Sequence, residues 1–191
     1  MPNTSPQPRL ADPGAMLSGS HTLDDGARVR LRLTRPSDAV LVREFLERLS
    51  PETRQRRFLV SMPQVSESTV RHFTFYDPRE RITFAATRPG EVCEQIVGLA
   101  DAAFVGTGLA EIGVVVSDER QHQGLGKLLS EAVASIAIKR GATHLKAQML
   151  ADNAPMLRLF ERLGRTVRTV EDGTSTAYVR LRTDRRRGVA A

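Results

Sequence analysis

Glu111-Ile112-Gly113-Val114-Val115-Val116, followed five residues later by Gln121-His122-Gln123-Gly124-Leu125-Gly126-Lys127, is the stretch whose reading decides the fold. A short apolar run rich in β-branched residues predicts a buried strand ending near Val116. Beyond the glycines, Leu125, Leu128, Leu129, Ala132, Val133 and Ile136 share one helical face. That spacing predicts a long amphipathic helix from about Gln123 to Arg140, stopped at Gly141. A glycine-containing turn between strand and helix offers free backbone N–H groups and the positive end of the helix dipole to an anion. Gly124 lets a phosphate approach the backbone, Gly126 lets the helix sit close to the sheet, and Lys127 adds charge. A loop built only for tight turning is the alternative reading.

Two phosphate motifs are excluded by inspection. A P-loop needs Ser or Thr after Gly-Lys and another glycine five positions before the second one, but Leu128 and Gln121 stand there. A dinucleotide fingerprint needs a third glycine where the chain has Leu129. ATP hydrolysis and hydride transfer lose their best support.

Working outward, hydrophobic periodicity alternates between two and 3.6 residues, with no internal repeat, and predicts one mixed α/β (α+β) domain. Upstream, Val29, Leu31 and Leu33 alternate with arginines as a first strand, and Val42, Phe45, Leu46 and Leu49 mark an amphipathic helix. Ser50-Pro51 starts a shorter helix, and Ser66 caps a third piece reaching about His72. Ile82–Thr87, Gln95–Val105 and Glu111–Val116 read as an antiparallel meander, joined by turns at Arg88-Pro89-Gly90 and Gly106-Thr107-Gly108. Downstream come a strand over Thr143–Leu150, a helix from Asp152-Asn153 to Leu163-Gly164, and strands near Arg165–Glu171 and Ser175–Arg182 around Asp172-Gly173.

The chain has 191 residues, 40% hydrophobic and 26% charged, enough for one core and too few for two full domains. Residues 1–26, rich in Pro and Gly, and residues 183–191, with Arg185-Arg186-Arg187, are expected to be flexible tails around a domain at 27–182. The N-terminus lacks the pattern of a signal peptide or anchor, and no stretch is long and apolar enough to cross a bilayer. One cysteine, Cys93, excludes an intramolecular disulfide and fits a reducing compartment, so a cytoplasmic location is expected. Cys93 is read as a small apolar filler. A net charge of +6 favours anionic partners without choosing among them. Aromatics at 5% give no base-stacking platform, so no nucleic-acid partner is expected. His21, His72, His122 and His144 show no metal-ligand spacing, and no metal is expected.

With those motifs excluded, Gln121-x-x-Gly124-x-Gly126 resembles the acyl-CoA pyrophosphate motif of the GNAT family of N-acetyltransferases. The strand before it, the long helix after it, and Asn153 opening a helix that ends in Leu163-Gly164 extend the resemblance over roughly residues 28–182. The spacing of Glu111 to Gln121, with Arg35-Pro36-Ser37-Asp38 and the segment Phe45–Pro51, looks most like the bacterial Pat-type protein lysine acetyltransferase domain. The resemblance implies the GNAT fold: a mixed, mostly antiparallel sheet of six to seven strands with helices on both faces. It implies acetyl-CoA as co-substrate, held by Val114, Val115 and Val116 along the pantetheine and by Gln121, His122, Gln123, Gly124, Leu125, Gly126 and Lys127 at the pyrophosphate. Glu111 would be the general base, and a backbone N–H of Val114 or Val115 would stabilise the oxyanion.

Asn153 would bond the pantetheine or serve as an ordinary N-cap. Relatives that protonate the leaving thiolate use a tyrosine seven residues after this asparagine, where the chain has Phe160, also placed at the cofactor. Either the thiolate leaves unassisted or another group, such as Tyr178, serves. The arginines at 54, 56 and 57 and at 185–187 are read as acidic-surface or CoA 3′-phosphate contacts, or as a solvated face. The expected acceptor is a protein lysine ε-amine. A small amine, such as a polyamine, amino acid or antibiotic, is the alternative, as is a non-catalytic acyl-CoA sensor. A homodimer is left open, and no fused regulatory domain is expected at this length.

Overall fold

The computed structural model describes residues 20–90 and 93–181. In chain order these form β1 (Ser20–Thr22), β2 (Arg28–Leu33), α1 (Ala39–Arg48), α2 (Pro51–Phe58), α3 (Glu67–Thr74), β3 (Arg81–Pro89), β4 (Glu94–Val105) and β5 (Leu109–Val116). Then follow α4 (Leu125–Lys139), β6 (His144–Leu150), α5 (Ala154–Leu163), β7 (Gly164–Glu171) and β8 (Thr174–Leu181). The expected caps form. Ser50 Oγ accepts from the Thr53 N–H at 3.1 Å with Pro51 in the first turn of α2, and Ser66 does the same for Thr69 at 3.1 Å in α3.

The eight strands make one open sheet in the order β1-β2-β3-β4-β5-β6-β8-β7, antiparallel throughout except for β5 and β6. This is one strand more than the six to seven expected. The addition is β1, which lies inside the segment 1–26 read as a flexible tail and pairs its three residues with Arg28–Arg30. A Ser-His-Thr strand has no apolar alternation to betray it. It is held by ladder bonds to the sheet edge and by Leu23, which is buried in the core beside it. The N-terminal residues 1–19 and the basic end 182–191 lie outside the described residues.

Each face of the sheet carries a core. Val97, Ala100, Ala102, Ala110 and Ile112 bury against Leu125, Leu129 and Val133 of α4 and Met156 and Phe160 of α5. On the other face Ile96, Leu99 and Val115 pack with Val42, Phe45 and Leu46 of α1 and Val70 and Phe73 of α3. Cys93 is exposed rather than filling a core, because it stands in the turn before β4. Among the described residues no helix is long and apolar enough to cross a membrane.

What positions the site is the join between β5 and β6. Their parallel pairing covers only Leu109–Glu111 against His144–Lys146. Beyond it β5 stays paired with β4 as far as Val116, and β6 stays paired with β8 as far as Leu150. Each strand follows its own antiparallel partner, so the sheet's twist carries them apart.

Candidate active site

The parted strands open a cleft of about 1030 Å³. Val114, Val115 and Val116 line it from β5, Asn153, Pro155 and Met156 from the start of α5, and Thr53, Arg56 and Arg57 from α2. With β6 gone from its side, this part of β5 has an edge that no neighbouring strand occupies.

The far end of the cleft is the turn from Gln121 to Lys127. His122 and Gly124 take left-handed backbone angles, φ 62° and 84°. A left-handed residue between extended and helical ones gathers successive N–H groups into an anion-binding concavity. At His122 this conformation costs roughly 1 kcal/mol that a glycine would not feel, the kind of strain that collects at ligand sites. Gly124 is the N-cap of α4 and no side chain caps the helix, which leaves its first donors available to an anion. A Cβ on Gly126 would come within 3.3 Å of Leu159 in α5 and 3.9 Å of Val116 in β5, so this glycine serves the close approach of α4 to both.

Side chains brace the turn. Asp118 accepts from the Ser50 N–H at 2.9 Å, from Ser50 Oγ at 2.8 Å and from Thr53 Oγ1 at 2.6 Å. Burial pushes the Asp118 carboxyl up, yet these donors hold it below the ordinary range. Gln121 Nε2 donates to Thr53 Oγ1 at 3.2 Å and to the Val116 carbonyl at 3.3 Å, tying the turn to α2 and to the end of β5. Lys127 is exposed at the rim, where Arg158 and Arg162 add positive charge. Four acids, Asp24, Glu52, Glu131 and Asp152, line the same cleft. Burial raises the Glu131 carboxyl despite Lys127 and Arg162 nearby. The Asp24 carboxylate lies 3.1 Å from where a Cβ of Gly124 would be.

Of the expected cofactor residues, Val114, Val115, Val116, Gln121, His122, Gln123, Gly124, Gly126, Lys127 and Asn153 line the cleft together. Asn153 also caps α5, its Oδ1 accepting from the Met156 N–H at 3.2 Å. Two expectations are corrected. The Leu125 side chain is buried in the core, so only its backbone belongs to the turn. Phe160 does not line the cleft. It shares the inward stripe of α5 with Met156 and Leu163 at helical spacing and is fully buried.

Glu111 stands where β5 and β6 are still paired, outside the cleft lining, with its carboxylate 2.6 Å from Lys146 Nζ across the parallel ladder. That bond raises the Lys146 pKa. Tyr178 of β8, 41% exposed, is the register partner of Lys146, which puts Glu111, Lys146 and Tyr178 in a row across three strands.

Beside that row lies a cluster that residue spacing did not reveal. Asp101 of β4 is buried and bonded by Arg57 at 2.5 Å, with Arg81 at 3.4 Å and His72 at 3.5 Å. Burial pushes its carboxyl up, but Arg57, His72 and Arg81 outweigh this and hold it below the ordinary range. A lone acid in an otherwise apolar strand, Gln95–Val105, is the signal that could have found it. Among the described residues no group of three His, Cys, Asp or Glu side chains could hold a metal ion.

The chain is similar to one family model and to three known proteins. Residues 43–164 match the family model described as the acetyltransferase (GNAT) family. An acetyltransferase of Pseudomonas aeruginosa is 31% identical over 156 residues, which cover 78% of this chain and 83% of that one. The crystal structure of the GNAT domain of S. lividans PAT superposes with a TM-score of 0.76 at 28% identity, covering 85% of this chain and 96% of that chain. Acetyltransferase Pat of Mycolicibacterium smegmatis is 36% identical over 70 residues, 35% of this chain and 21% of that protein.

Proposed function

Because this chain belongs to the GNAT acetyltransferase family, we propose that it moves the acetyl group of acetyl-CoA directly onto a protein lysine ε-amine. One observation carries the cofactor's placement: a strand edge released from its neighbour leads straight into an uncapped helix N-terminus. A pantetheine can lie along Val114–Val116 as a substitute strand while the pyrophosphate takes the N–H groups of residues 121–127. The six residue steps from Ser117 back to Glu111 span on the order of 20 Å, about the reach of that arm. The thioester then arrives beside Glu111. The similarity to Pat-type acetyltransferases supports lysine as the acceptor.

An ammonium of pKa near 10.4 must lose its proton before it can attack, which costs roughly 4.6 kcal/mol at pH 7. Glu111 takes that proton, through a water, as Lys146 yields its place to the incoming amine. Acetyl-CoA supplies the activated acyl group. Because Phe160 stands where relatives have a tyrosine and carries no hydroxyl to donate, the thiolate leaves either unassisted, with a pKa near 8.5 by analogy with cysteine, or with a proton from Tyr178.

The test is mass spectrometry of a cell lysate treated with the protein and isotopically labelled acetyl-CoA, run beside free-CoA release with a panel of small amines. Label on protein lysines is expected. Label on small amines alone would reassign the acceptor, and tight acetyl-CoA binding with no CoA release would make the domain a sensor.

A further inference from the structure

Arg57 of α2 is laid flat on strand β5. Its Cζ and Nη2 stand 2.5 Å, and its Nη1 2.9 Å, from the position a Cβ would occupy at Gly113, so only a glycine leaves room for the guanidinium. The rings of Phe58 and Phe73 flank it, their centroids 5.3 and 5.6 Å from Cζ. Asp101, the cross-strand partner of Gly113, accepts from Nη2, and Arg81 and His72 hold that carboxylate's other oxygen. The guanidinium is therefore fixed in place. It is also underused: Nη2 is spent on Asp101 and Nε is sealed from solvent, but Nη1 has no hydrogen-bond partner among the described residues and is not sealed.

Its position gives the reason. Arg57 lines the cleft beside Val114, and Gly113 is two residues from Glu111, roughly 7 Å along the same face of the strand. On the acetyl-transfer reading, on which this step rests, the thioester lies between those two residues. We infer that Arg57 is a catalytic residue, donating to the thioester carbonyl oxygen and stabilising the charge that develops there, and that Asp101 is its positioning residue. The neutral amine nitrogen bonds to the carbonyl carbon while the π pair moves onto oxygen, opposite the guanidinium. As that pair returns, the carbon–sulfur bond breaks and sulfur leaves with its electrons as CoA thiolate. The nitrogen's extra proton passes through water to that thiolate, giving CoA thiol and a neutral amide, while Glu111 keeps the proton it took from the ammonium.

The test compares the wild type with Arg57→Gln, Arg57→Lys and Gly113→Ala by difference infrared spectroscopy of bound acetyl-CoA labelled with carbon-13 at the carbonyl. The wild type is expected to lower the carbonyl stretch. R57Q should abolish the shift and R57K should keep part of it. G113A, whose Cβ expels the guanidinium without deleting it, should behave like R57Q. Turnover of R57Q should fall about 10²–10³-fold, as for loss of an oxyanion donor, with the Kd for acetyl-CoA changed less than about threefold. An equal carbonyl frequency in wild type and folded R57Q overturns the inference, as does a turnover loss matched by an equal loss of affinity. Should R57Q fail to fold, G113A and R57K decide by the same readout. A carbonyl shift that needs Arg57 in a protein that acetylates no amine would sink the acetyl-transfer reading and Arg57's catalytic role with it, leaving only the contact with the carbonyl. Lysine acetylation without the shift would sink the contact and leave the acetyl-transfer reading standing.

Discussion

Glu111→Gln separates chemistry from architecture, because the pair it breaks is cheap. Glu111 and Lys146 side chains are 46% and 24% exposed, and pairs with that much solvent contact contribute about 0–1 kcal/mol. For a domain of this size, 1 kcal/mol moves Tm by roughly 2–4 °C, so the variant should melt within a few degrees of the wild type. The glutamine keeps the shape and an acceptor oxygen, and the residue lies outside the cleft lining, so acetyl-CoA should bind as before. What disappears is the proton acceptor proposed above. Turnover at pH 7 should fall by about 10²–10⁴, up to most of the roughly 4.6 kcal/mol needed to strip the ammonium. The deficit should shrink as pH rises, since each unit below pKa 10.4 supplies about tenfold more free amine. Thiol-reporter assays of CoA release from pH 6.5 to 9.5, with calorimetric titration of acetyl-CoA, measure both quantities. Unchanged turnover at neutral pH, or a loss traced wholly to weaker acetyl-CoA binding, would refute the role given to Glu111.

Asp24→Asn should tighten acetyl-CoA binding severalfold at low salt, since a carboxylate about 5 Å from a phosphate charge costs on the order of 0.8 kcal/mol in water-like surroundings. Titrations at 20 and 500 mM salt should show that gain fading. Gly124→Ala forces a side chain into a left-handed position against the Asp24 carboxylate, at about 1 kcal/mol or more, and should weaken acetyl-CoA binding while far-ultraviolet dichroism stays unchanged. Asp101 sits below the ordinary carboxylate range, as do Asp38 and Asp118. A depressed folded-state pKa contributes stability above the unfolded value near 3.9 and loses it as pH falls through the folded one. Urea midpoints should therefore hold from pH 7 to about 5 and drop below about 4. Asp101→Asn, which strands a buried guanidinium, should lose on the order of 3 kcal/mol at pH 7 and show a shallower acid decline.

The readability of the chain tracks how local each cause is. The stripe of α4 and the caps Ser50 and Ser66 are settled by contacts within a turn or two, so spacing alone exposed them. β1 was missed because its cause lies in the edge it pairs with. Phe160 is the sharper case. Its distance from Asn153 matched a family position, yet i, i+4, i+7 spacing from Met156 to Leu163 already marked that face of α5 as inward, and burial followed the stripe. Arg57 was one of several arginines in a polar helix until Gly113 and Asp101, 56 and 44 residues further on, gave it a seat.

By itself the sequence determined the element order from β2 onward and the strand-turn-helix unit at 111–140, since these follow from side-chain period and from glycines that punctuate it. Only the tertiary structure decided where β5 and β6 stop pairing, which opens the cleft, and which charged side chains meet at its inner end. Strand divergence is the outcome of two antiparallel partners pulling in different directions under sheet twist, and the Arg57–Asp101 contact joins a helix to a strand through space. Neither leaves a period in the chain, because both are set by distance in three dimensions rather than along the backbone.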